Sequence, residues 1–117
     1  MCMSEEAKER KLHELRQVGI EHAKAKRDVT VLEHGRQIIL ADLMKKYMVK
    51  GEKTAAAQER EARADPMYKQ HIEALGEAIE RELKWAWEKK ICDIKFEEWK
   101  TKMINQTIER KNYHVKD

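Results

Sequence analysis

KTAAAQEREARADP, residues 53–66, decides the fold. Alanine is the best helix former, and three follow Thr54 directly. A threonine side chain accepts a hydrogen bond from the unpaired N–H groups of a helix start, so Thr54 reads as the cap of a short helix over 54–64. The residue before a proline is pushed out of the α region, whereas proline itself suits the first helical position. Asp65-Pro66 therefore ends one helix and begins the next, with Asp65 as its cap. Gly51, just upstream, stops whatever comes before it.

Working outward, a long helical pattern lies on each side. Upstream, Ser4 with Glu5 and Glu6 marks a start. Leu15, Val18, Ala25, Val29, Leu32, Ile39, Leu43 and Tyr47 recur at steps of three and four, with His22 and Arg36 filling two polar places. The spacing predicts one helix over about 5–49 with a heptad-like seam. Gly35 and the β-branched run around Val29–Val31 are weak points, so a bend near 28–35 is expected. Downstream, the pattern predicts a helix over about 66–111. Each long helix has ~45 residues, roughly 65 Å at 1.5 Å per residue. Two such helices and a compact connector imply an all-α fold: a long antiparallel helical hairpin, coiled-coil-like, forming a single domain over 1–117 with ends fraying at 1–4 and 112–117. Charged residues make up 40% of the chain, mostly Glu, Lys and Arg, while Gly (4) and Pro (1) are scarce, a composition for long helices. A pair of long helices buries little on its own, which points to an oligomeric bundle or a partner.

The last helix carries two apolar stripes. Tyr68, Ile72, Leu75, Ile79, Leu83, Ala86, Trp87, Ile91 and Ile94, continued by Ile104 and Ile108, fall on one broad stripe. It reads as the seam with the first helix. Trp85, Cys92, Phe96, Trp99 and Met103 fall nearly opposite, at steps of 7, 4, 3 and 4. A two-helix hairpin covers one such face, so the second reads as an interface. Self-association is the first reading of that face. A different protein partner and a stacking surface for single-stranded nucleic acid are the others. Glu88, Asp93, Glu97 and Glu98 beside it oppose phosphate tracking.

No catalytic or metal-binding pattern is present. None of His13, His22, His34, His71 and His114 sits in HExxH, and none has a glutamate three residues before it. Cys2 and Cys92 form no CxxC pair, so reduced thiols are expected. GxGxxG and Walker A motifs are missing. The reading is a non-enzyme without cofactor or small-molecule substrate. With no apolar run near 18 residues and no signal-like start, a cytoplasmic location is expected.

Net charge is +3, from 25 basic and 22 acidic residues that are interleaved. Three basic clusters are candidates for phosphate binding: Lys24, Lys26 and Arg27; Lys45, Lys46, Lys50 and Lys53; and Lys100, Lys102, Arg110 and Lys111. Repetition around an oligomer's axis turns a weak patch into a multivalent one.

The alanine-rich run Ala55-Ala56-Ala57-Gln58-Glu59 with Ala62 and Ala64, then Asp65-Pro66, Tyr68, Leu75, Ala78 and the late Glu98-Trp99 carry a resemblance. With these elements, residues 40–101 resemble a family of small helical proteins of tailed phages and prophages. Family members often have arginine after the late Trp, where this chain has Lys100. The family looks like early-region phage genes near recombination functions. Its layout is similar to that of phage recombination mediators, oligomeric helical proteins that bind single-stranded DNA and load a recombinase. The resemblance implies an accessory protein of DNA recombination or replication in a bacterial host, with single-stranded DNA and a recombinase as partners. It assigns no DNA contact to any residue. The alternative is a protein-binding adaptor without affinity for nucleic acid.

Overall fold

The computed structural model describes residues 3–115 and the side chains of residues 5–112. Cys2 and the side chain of His114 lie outside them; of the ends expected to fray, residues 3–4 and 112–115 are helical. Three helices follow in order: α1 (Met3–Val49), α2 (Ala55–Ala64) and α3 (Pro66–Val115). The fold is all-α. Ser4, read as a start signal, lies inside α1. The chain divides into two compact units, one of residues 23–84 and one of residues 1–22 with 85–117.

Residues 23–84 form a helical hairpin whose turn is held by backbone and side-chain hydrogen bonds. Gly51, at φ 116°, ends α1. The Glu52 N–H reaches the Tyr47 carbonyl at 3.0 Å and the Gly51 N–H reaches that of Met48 at 3.1 Å. This is the paired bonding of a Schellman motif, and it satisfies carbonyls left open at the helix end. Thr54 Oγ1 accepts from the Ala57 N–H at 3.1 Å, so it caps α2 as expected. Gln58 Nε2 donates to the Glu52 carbonyl at 3.0 Å and ties α2 back to the turn.

The two long helices of this unit run antiparallel. Lys46 and Tyr47 meet Asp65, and further along the Leu32 carbonyl meets His71. Ala25, Leu43, Ala62, Leu75 and Ala78 are the buried apolar residues. Three of the five are alanines, so the core rests on close backbone approach more than on large side chains.

α1 is one continuous helix through 28–35. Thr30 Oγ1 donates to the Lys26 carbonyl at 3.1 Å, which settles the hydroxyl within the helix. The seam position between Leu32 and Ile39 belongs to Gly35, half-buried, and not to Arg36, which is exposed. His71 is the reason. Its Nε2 lies 2.6 Å from the Leu32 carbonyl oxygen. A carbonyl only accepts, so Nε2 carries the proton and donates. A Cβ at Gly35 would stand 3.1 Å from His71 Cε1.

That contact yields an expected result for the glycines. A Cβ at Gly19 or Gly76 would meet nothing within 4 Å. Gly19→Ala and Gly76→Ala should each stabilise the helices by about 0.5–1 kcal/mol, the usual gain over glycine. Gly35→Ala should fail to give that gain, because His71 is held by its bond and retreats only by stretching it. Thermal melts of the three variants check this, and an equal rise in all three would remove the steric role of Gly35.

Candidate functional site

The outward face of α3 in the unit of residues 1–22 and 85–117 is the most unusual surface. Trp87 is 63% exposed and Ile94 53% exposed, and Ile91, Ile104 and Ile108 are exposed beside them. At 100° per residue they share one side of the helix. An open hollow lies on this side, lined by α3 side chains that include Ile94, Glu97, Glu98, Thr101 and Asn105. Lys90 Nζ sits 5.4 Å from the centre of the Trp87 ring, a cation–π distance. No described residue of this unit is fully buried.

From Trp87 onward the two stripes of α3 therefore take the opposite places from those expected. Trp85, Cys92, Phe96, Trp99 and Met103, assigned to an interface, are half-buried. Trp99 lines a shallow hollow together with Lys11 of α1. The half-buried residues of α1 in this unit include Leu12, Leu15, Val18 and His22, at seam spacing. Phe96 and Trp99 also pack on each other, ring centres 5.9 Å apart and tilted by 38°. The inner stripe is the seam with α1. The stripe assigned to the seam is split: Leu75 is buried and Tyr68 and Ala86 are half-buried, whereas Ile72, Ile79, Leu83, Trp87, Ile91 and Ile94 are exposed.

In the other unit, the rotation of α3 begins at Asp65, which is 4% exposed. Its Oδ1 accepts from the Met67 N–H at 2.8 Å and caps α3. Its Oδ2 accepts from Tyr47 Oη at 2.8 Å and Lys46 Nζ at 3.1 Å, both on α1. The Met67 N–H and then the Tyr47 hydroxyl outweigh burial and hold the Asp65 carboxyl at about 2. The same bond to Asp65 raises the Tyr47 pKa above the ordinary phenol range.

The basic clusters are only partly available. Lys46, expected to bind phosphate, is committed to Asp65. Lys46 and Lys50 also lie over the Tyr47 ring, at 5.3 and 5.4 Å. Arg27 pairs with Asp28 at 3.6 Å, and Lys100 with Glu97 at 3.8 Å. Lys24, Lys26, Lys45, Lys53, Lys102, Arg110 and Lys111 are exposed, but acidic residues remain interleaved with them along every helix. Exposed pairs of this kind contribute little energy, yet they cancel the field a phosphate would feel.

His13 and His34 are exposed, while His22 and His71 are half-buried. Among the described residues no group of three or more His, Cys, Asp or Glu could hold a metal ion. No helix of the described residues is long and apolar enough to cross a membrane. Comparison with family models, with curated proteins and with solved structures returns no match for the chain.

Proposed function

We propose that the protein is a non-enzymatic helical interaction module that offers the outward face of α3 to another protein helix. The observation that carries this is the exposure of Trp87, Ile91, Ile94, Ile104 and Ile108 on one side of a helix. Apolar residues repeating at helical spacing are what an amphipathic partner helix reads in a groove or bundle contact. The interleaved acids and the committed Lys46 favour this protein-binding reading over phosphate tracking.

A second reading keeps the DNA recombination accessory, acting in the bacterial cytoplasm on single-stranded DNA with a recombinase. The resemblance of residues 40–101 to small phage proteins supports it, and so does one observation. Trp87 is an exposed ring with a lysine over it, the combination on which an unstacked base rests.

Fluorescence anisotropy of a labelled single-stranded oligonucleotide, titrated at low and moderate salt, separates the two. The interaction module is expected to leave the anisotropy flat even at low salt. Binding that weakens steeply with salt means several phosphate contacts. It would overturn the first reading and make the second the working one.

A further inference from the structure

The geometry points to a second copy of this chain as the occupant of α3's outward face, docked antiparallel. Resting on the interaction-module reading, it names the partner.

The open hollow on this face is lined by seven residues of α3. Ile94, Glu97, Glu98 and Thr101 line it, and they stand at positions i, i+3, i+4 and i+7 of one helix. Four residues so spaced form the hole that receives a knob from a facing helix. Thr101 is short, so the hole has room on its far side. The same face carries a large exposed side chain. Trp87, 63% exposed, stands two turns before the hole.

An antiparallel copy brings the two together twice. Set Ile91 of one copy against Ile94 of the other. Trp87 of each copy then falls at the hole between Ile94, Glu97, Glu98 and Thr101 of the other. The contact is isologous and closes on itself, as a two-fold dimer requires.

On one flank, charge complementarity follows from the same register. Lys90, which covers the Trp87 ring, lies on the flank that also carries Asp93 and Glu97. In an antiparallel pair like flanks meet, so Lys90 of one copy falls between Asp93 and Glu97 of the other. All three are exposed, and the Lys100–Glu97 pair, at 3.8 Å on the surface, is weak enough to exchange for a partner's lysine. No described residue of the unit is fully buried. A layer on α3 supplies the burial that two helices alone do not.

The test is sedimentation equilibrium of the full chain across a concentration series, with helicity followed by circular dichroism. The wild type is expected to shift toward twice its 13.9 kDa chain mass. Trp87→Glu should weaken association by on the order of thirtyfold or more, as loss of a central tryptophan does, with helicity kept because the ring faces outward. Lys90→Glu should weaken it several-fold, and so should a chain carrying Asp93→Lys with Glu97→Lys. Mixing those two chains should restore association, since each brings the charge the other lost. A wild type that stays monomeric overturns the proposal and leaves the face to a different protein. So does a dimer indifferent to Trp87→Glu, or charge variants that the mixture does not rescue. The oligonucleotide titration is independent of mass, so failure of the dimer and failure of the interaction-module reading are told apart.

Discussion

Asp65→Ala is expected to lower the melting temperature by on the order of 10 °C, among the largest effects of any single substitution in this chain. Three bonds end on this one buried carboxylate. Met67 N–H, Tyr47 Oη and Lys46 Nζ all lose their acceptor together. The first caps α3, and the others hold α3's start against α1. Asp65→Asn should fall in between. Its amide oxygen still accepts from Met67 N–H, but its NH₂ group faces the Lys46 ammonium without a negative charge. Acid tests the same contact. A carboxyl near 3.9 when unfolded is held at about 2 when folded. A depressed folded value means the stabilisation is fully present above pH about 4 and is lost as pH falls from about 4 to about 2. Thermal melts from pH 7 to pH 2 should show the wild type losing its advantage over Asp65→Asn in that window. A constant difference between the two would take the charge of Asp65 out of the account.

Trp99→Glu should unfold residues 1–22 and 85–117 in part, because Trp99 lies on the inner stripe with Phe96. A full tryptophan-to-alanine change in a core costs about 3–5 kcal/mol. Trp99 is half-buried, so roughly 2–3 kcal/mol is expected, the charge adding to the loss of area. The readout is ellipticity at 222 nm together with the melt. The sequence reading of Trp99 as an interface residue predicts something different: a lower native mass with helicity intact. A variant that keeps its helicity and its melting temperature would restore that reading and remove the α1–Trp99 seam.

Much of the architecture was legible because its signals are local. Thr54, Asp65, Pro66 and Gly51 act through their own backbone geometry and nearest N–H and C=O groups, so α2 and both junctions follow from residue type alone. The period of α1's seam was legible too, from Leu15 to Tyr47. Gly35 was not, since nothing in its neighbours along the chain announces His71, 36 positions later. Lys46 looked like any surface lysine, as its acceptor sits 19 residues away.

The two stripes of α3 mark the limit most clearly. Periodicity places Ile72, Ile79, Leu83 and Trp87 on one side and Trp85, Phe96, Trp99 and Met103 on the other, and hydrophobicity then favours the richer side for the seam. Rotation about the helix axis is a tertiary quantity. It is set where Asp65 is clamped to Lys46 and Tyr47, and from there His71, Leu75 and Ala78 turn inward at steps of three and four. Small residues reinforce the choice, since the buried Ala25 and Ala78 allow the helices to approach where a larger side chain would hold them apart. Residue types and spacing thus determined three helices, their ends and their two apolar faces. Only the folded chain decided which residues of α3 turned inward, and in residues 23–84 that depends on one buried carboxylate meeting two side chains from another helix.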